Sequence, residues 1–183
     1  MLVAVYGVPR SGKTTLCDQL VHNYSLSGKH VIHIKPNHWY PPFQTIYTII
    51  ETGTSMEQKI QIIENYQHEL TRFSQNYDIV FLDCHFAYLN EQGVPLPAYP
   101  NMVHCIYDSY FYLDTRTSTV LSRMEQTNGI KDVYCYSPEE IERWKQFESE
   151  KLRKLLSMNQ KPLYCIGSGG SPLEESISIL KQC

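Results

Sequence analysis

Residues 7–14 read Gly7-Val8-Pro9-Arg10-Ser11-Gly12-Lys13-Thr14: a glycine, four residues, then Gly-Lys-Thr. This is the G-x-x-x-x-G-K-[ST] spacing of a phosphate-binding loop, or P-loop. Gly7 and Gly12 let a backbone wrap a phosphate chain without side-chain clashes. The loop's N–H groups, those of Arg10 and Ser11 among them (Pro9 has none), and the N-terminus of a following helix then face the anion. Lys13 reaches the terminal phosphates. The Thr14 hydroxyl is a ligand for Mg²⁺, which prefers hard oxygens.

A second chemical group closes the apolar run Ile79-Val80-Phe81-Leu82 as Asp83. Opposite a P-loop, a strand-end carboxylate holds Mg²⁺ and orients or deprotonates an acceptor; elsewhere such a residue simply caps a turn. His85 follows two residues on, either as an acceptor contact or as a support for the loop. Arg123 and Arg143 flank a short segment able to fold over a nucleotide as a lid, and both also suit solvated helix faces. The stretch after the second strand is aromatic and prolyl. Its Lys35, His38, Trp39 and Tyr40, with Arg72 beyond, are candidates for an acceptor site. A local hydrophobic cluster is the other reading of the same aromatics.

The elements that must position these groups alternate. Leu2–Tyr6, Val31–Ile34, the run ending at Asp83, Ser109–Leu113 and Leu163–Ile166 read as short buried strands. Thr14 to Ser27 has a helical rhythm in Leu16, Leu20, Val21 and Tyr24. Met56, Ile60, Ile63, Gln67, Leu70 and Phe73 trace one face of a second helix. Thr117–Gln126 is helical, and Asn128-Gly129 breaks it. Ser137-Pro138-Glu139-Glu140 is a capping box opening a helix to about Met158. Pro172–Gln182 is the last helix, and Gly93–Pro100 reads as proline-rich loop. Five strands between helices argue an α/β protein: a five-stranded parallel sheet with helices on both faces, whose ligands bind at the strands' carboxyl ends. The P-loop, Asp83 and Asp114 all fall there.

At 183 residues this is one domain. The net charge of −3 excludes a surface built to coat nucleic acid. No stretch is long enough to span a membrane. The six cysteines include no C-x-x-C pair, which points to reduced thiols and a cytoplasmic setting.

Taken together, the P-loop, Asp83 and the strand-helix order resemble the nucleoside monophosphate kinase superfamily. Gly7 through Thr15 and Asp78 through His85 look nearest to archaeal-type adenylate kinases. The Gly93-Val94-Pro95-Leu96-Pro97 loop and the Ser137–Lys145 segment are similar to that group as well. The resemblance implies one three-layer P-loop NTPase domain over residues 1–183. It would carry an acceptor-binding insert at about 36–75 and a lid at about 124–140. It implies MgATP as donor and a nucleotide-sized acceptor as partner. Gly7, Gly12, Lys13, Thr14 and Thr15 would bind donor phosphates and Mg²⁺. Asp83 would serve metal and acceptor, and Arg123 and Arg143 would be lid arginines. Two departures stand out. Between Arg123 and Arg143 the lid offers only Lys131, and no arginine lies between Arg10 and Arg72 to grip an acceptor phosphate. The expected activity is phosphoryl transfer from ATP to a nucleotide or nucleoside-like molecule. The alternatives are a small-metabolite kinase of the shikimate or gluconate type and an ATP-hydrolysing switch acting on a protein partner.

Overall fold

A computed structural model describes residues 1–34, 56–90, 92–97, 104–127, 136–167 and 169–182. Five apolar runs form the strands β1 (Leu2–Tyr6), β2 (Val31–Ile34), β3 (Ile79–Asp83), β6 (Ser109–Leu113) and β7 (Leu163–Ile166). They pair in parallel in the order β2-β3-β1-β6-β7. β1 is central, with Val5 opposite Asp83 on one side and Phe111 on the other. Near-continuous apolar strands are what a parallel sheet covered on both faces requires.

Alternation along the strands sorts the core into two layers. Leu2, Ala4, Tyr6, Val80, Leu82, Tyr110 and Tyr112 pack on one face. Against them lie Leu70 of α2 (Met56–Asn76), Val120 of α3 (Thr117–Thr127) and Ile141, Trp144 and Leu152 of α4 (Pro138–Met158). Val3, Val5, Phe81, Phe111 and Ile166 face the other way. There they meet Leu16 and Leu20 of α1 (Lys13–Leu26) and Leu180 of α5 (Pro172–Leu180). The result is a helix–sheet–helix sandwich. Among the described residues no helix is long and apolar enough to cross a membrane.

The capping box forms as the sequence leads one to expect. Ser137 Oγ accepts from Glu140 N at 3.1 Å, and Ser137 N donates to Glu140 Oε2 at 2.7 Å. Two expectations need correction. The stretch read as proline-rich loop contains β5 (Pro95–Pro97), antiparallel to β4 (Ala87–Leu89) with Tyr88 opposite Leu96. The prolines offer no N–H, which a short two-stranded ribbon with free edges tolerates. The apolar stripe of α2 is buried at Leu70, but Ile60 stays 42% exposed. A 21-residue helix is about 30 Å long and a five-residue strand about 17 Å, so α2 overhangs the sheet. Lys35, His38, Trp39, Tyr40 and Lys131 lie outside the described residues.

Candidate active site

The loop between β1 and α1 is shaped by its torsions. Ser11 N donates to Val8 O at 3.2 Å, closing a turn with Pro9 and Arg10 in its middle. Arg10 has φ +63°, a left-handed value that a non-glycine residue adopts only at a cost. Gly7 and Gly12 have φ of +148° and +106°. A Cβ at Gly7 would stand 2.9 Å from the Leu113 carbonyl oxygen, which is backbone and cannot yield. Gly7→Ala is therefore expected to lower stability by about 1–3 kcal/mol, read by thermal denaturation. A Cβ at Gly12 would stand 3.0 Å from Arg123 Nη1.

The loop's carbonyls are taken up from outside. Arg123 Nη1 donates to Ser11 O at 2.7 Å and Arg10 O at 3.1 Å, and Thr115 Oγ1 donates to Ser11 O at 2.7 Å. Lys13 Nζ donates to Gly7 O at 2.7 Å and Val8 O at 3.0 Å. Apart from Ser11 N, which is turned to Val8 O, the loop's N–H groups remain for an anion. The Ser11 hydroxyl is buried without a partner, as befits a group facing a ligand site. Thr14 and Thr15, on the first turn of α1, are exposed.

Across the loop, Thr14 Oγ1 donates to Asp83 Oδ2, and Lys13 Nζ lies 3.9 Å from Asp83 Oδ1. Lys13 is only 4% exposed. Burial pushes its ammonium pKa below the ordinary lysine value, while the Asp83 and Glu148 carboxylates push it back up. A hydroxyl beside one carboxylate is a hard-oxygen donor pair. It fits Mg²⁺, which takes one or two protein ligands and completes its shell with water and phosphate. No cluster of three or more His, Cys, Asp or Glu suited to a softer metal occurs among the described residues.

After Asp83 the chain leaves the sheet through Cys84 and His85. Burial pushes the Cys84 thiol up to about 12, so it stays neutral. His85 is held well below the usual histidine value by burial and then by the Lys13 charge, with a hydrogen bond to the Gly7 backbone opposing both. Its ring packs beside Tyr88 at 5.3 Å. The structure thus brings His85 to the phosphate loop. Behind it, Tyr6 shares a hydrogen bond with His104 Nδ1 at 2.9 Å, and Cys84 Sγ lies 3.8 Å from the Tyr107 hydroxyl.

The other candidate residues sit as follows. Arg143 is exposed on α4. Arg72 is paired with Glu69 of its own helix at 3.1 Å and lies over the Phe73 ring at 5.9 Å. Sequence reasoning missed two residues of α4. Lys145 Nζ lies 3.0 Å from Asp114 Oδ1 at the end of β6. Residues two apart on a helix point about 200° apart, so Lys145 faces the sheet and Arg143 does not. Glu148 is 0% exposed, and its Oε1 accepts from Phe86 N at 3.2 Å and Ala87 N at 3.0 Å. A signal for it existed: Glu148 continues the buried stripe Ile141, Trp144, Leu152, Leu156, where a charged residue is out of place.

Burial pushes the Glu148 carboxyl from 4.5 up to about 7. The folded state then holds that proton where the unfolded chain has lost it. Stability falls as pH rises from about 4.5 to 7, and the full deficit of about 3 kcal/mol is present above that window. Glu148→Gln is expected to flatten this slope and to denature at higher urea than the parent at pH 8.

No family model matches the chain, and no curated protein matches it. Solved structures do. A deoxyadenosine kinase from M. mycoides with the products dCMP and a flexible dCDP bound is similar with a TM-score of 0.55 at 15% identity. The match covers 100% of this chain and 98% of that one. The same enzyme with dCTP bound gives 0.54 at 16% identity, covering 100% of both chains. A gluconokinase from Sinorhizobium meliloti 1021 gives 0.53 at 14%, covering 98% of this chain and 91% of that one. Neither is an adenylate kinase, so these structures do not support archaeal-type adenylate kinases as the nearest relatives. At these identities the similarity is one of architecture, and it spans the chain: this is a three-layer α/β protein with the P-loop fold that those structures share.

Proposed function

We propose that the chain is an ATP-dependent phosphotransferase that passes the terminal phosphate of MgATP to a nucleoside- or nucleotide-like small molecule. The observation that carries the reading is Lys13, Thr14 and Asp83 converging on a loop whose carbonyls are already occupied. The loop N–H groups and Lys13 would hold the donor phosphates. Thr14 and Asp83 would hold Mg²⁺, which when bound neutralises phosphate oxygens. Arg123 keeps the loop open toward the anion by taking its outer carbonyls. Asp83 stands at the carboxyl end of β3, where it can orient an acceptor hydroxyl and take its proton. Segment 124–140 would close over the donor and exclude water, since an exposed terminal phosphate is open to hydrolysis. Lys35, His38, Trp39, Tyr40, Arg72 and His85 remain the acceptor-side proposals. The unbridged thiols of Cys17, Cys84 and Cys165 are in keeping with a reducing, cytoplasmic setting.

A small hydroxylated metabolite is the second reading. The sequence has no arginine between Arg10 and Arg72 to grip an acceptor phosphate, and a gluconokinase shares the fold. Both readings are tested by ADP formation from MgATP with a panel of nucleosides, nucleoside monophosphates and sugar acids. A many-fold acceleration by one nucleoside or nucleotide is the expected result. A slow rate that no acceptor changes would overturn the transferase reading in favour of an ATP-hydrolysing switch.

A further inference from the structure

We infer that Glu148 and Trp144 form a clamp through which α4 fixes the Asp83–Ala87 turn, making Glu148 a positioning residue for the site. β3 ends at Asp83 and β4 begins at Ala87, so only Cys84, His85 and Phe86 connect them. One end of this connection is anchored to the sheet, where Cys84 N donates to Val5 O at 2.9 Å. The other end is anchored to α4. Glu148 Oε1 accepts from Phe86 N and Ala87 N, and Trp144 Nε1 donates to Ala87 O at 3.1 Å. His85 lies between the anchors, and Asp83 immediately precedes the first.

The chemistry of this clamp is specific. Glu148 is fully buried and its Oε2 has no partner. A leucine at the same position of the apolar stripe would avoid that cost but leave two amide N–H groups unpaired. The carboxylate is the group that satisfies both amides with one atom. Lys13 and Tyr112 sense the same carboxylate electrostatically.

The same helix reaches the donor side. Lys145 binds Asp114, Glu142 accepts from Thr117 Oγ1, and Lys145 O accepts from the Tyr112 hydroxyl at 3.1 Å. Thr115, beside Asp114, holds the loop carbonyl of Ser11. α4 therefore ties the donor loop and the strand-end turn to one rigid element.

The inference rests on the phosphotransferase reading for its consequence in rate, but not for its geometry. The test uses Glu148→Leu, Glu148→Gln and Trp144→Phe in the full chain. Hydrogen exchange of the Phe86 and Ala87 amides is followed, with kcat and the two KM values measured separately. In Glu148→Leu the two amides are expected to lose their protection and kcat to fall about tenfold, with the MgATP KM unchanged. Glu148→Gln keeps an acceptor oxygen and is expected to restore most of the protection and rate. Trp144→Phe, which keeps a smaller aromatic ring and removes one donor, gives a smaller loss of the same kind should Glu148→Leu fail to fold. Parental amide protection and kcat in both Glu148→Leu and Trp144→Phe would overturn the clamp, as would a loss of Phe86 and Ala87 amide protection in Glu148→Gln as large as in Glu148→Leu. A parent chain with protected amides and no transfer to any acceptor would instead sink the transferase reading and leave the clamp standing.

Discussion

Lys13→Met is expected to lower turnover about a thousandfold while the chain stays folded. Lys13 is the only described side chain that joins two loop carbonyls and the Asp83 carboxylate at once. Its ammonium is buried, so charge placed there acts in a low-dielectric setting and is worth more than at a surface. Burial alone would favour loss of the proton; Asp83 and Glu148 are the counterweights. On the phosphotransferase reading, the ammonium would exchange the Gly7 and Val8 carbonyls for phosphate oxygens, its charge already in place. Methionine preserves the unbranched stem and removes the charge. Circular dichroism should show an unchanged fold, and ADP formation in the presence of acceptor should nearly vanish. Turnover within a few-fold of the parent would mean that Lys13 serves the loop's structure and nothing more.

Asp83→Asn is expected to lower turnover about a hundredfold or more and to raise the magnesium concentration at half-maximal rate. The substitution is nearly isosteric, and an amide oxygen still accepts the Thr14 hydroxyl, so the local structure has no reason to change. What is lost is a negative charge at the end of β3. The paired Thr14 hydroxyl is neutral and cannot replace it. The buried Lys13 would also lose its nearest carboxylate, and its proton would be held less firmly. A magnesium titration separates the two effects. A shift in the half-saturating concentration reports the metal, and a lower ceiling at saturating magnesium reports Lys13. A variant with the parental magnesium curve and rate would remove Asp83 from the site.

The phosphate loop was legible in the sequence because all its determinants are local. Two glycines, a lysine and a threonine sit within eight residues, and the neighbouring apolar strand and helix confirm them. The five strands were legible for a similar reason: a sheet covered on both faces needs unbroken apolar runs, and five such runs exist. What lay hidden depends on three-dimensional register. Arg143 and Lys145 are two residues apart, and only the angular phase of α4 decides that Lys145 reaches Asp114. Glu148 and the amides it accepts are separated by 62 and 61 positions, so no window of sequence joins them. Arg123 read as a lid arginine, and the bonds described for it, to loop carbonyls 113 and 112 positions away, were not legible in the sequence. β5 was hidden by its own prolines, which forbid a central strand but not one in an isolated ribbon.

The most direct test of the central claim follows the terminal phosphate itself. MgATP labelled at the γ-position is incubated with the chain and the acceptor that most accelerates ADP formation, and the products are separated. The phosphotransferase account predicts one labelled acceptor molecule for each ADP formed, with little label in inorganic phosphate. Label appearing as inorganic phosphate in step with ADP, whatever acceptor is present, would contradict it.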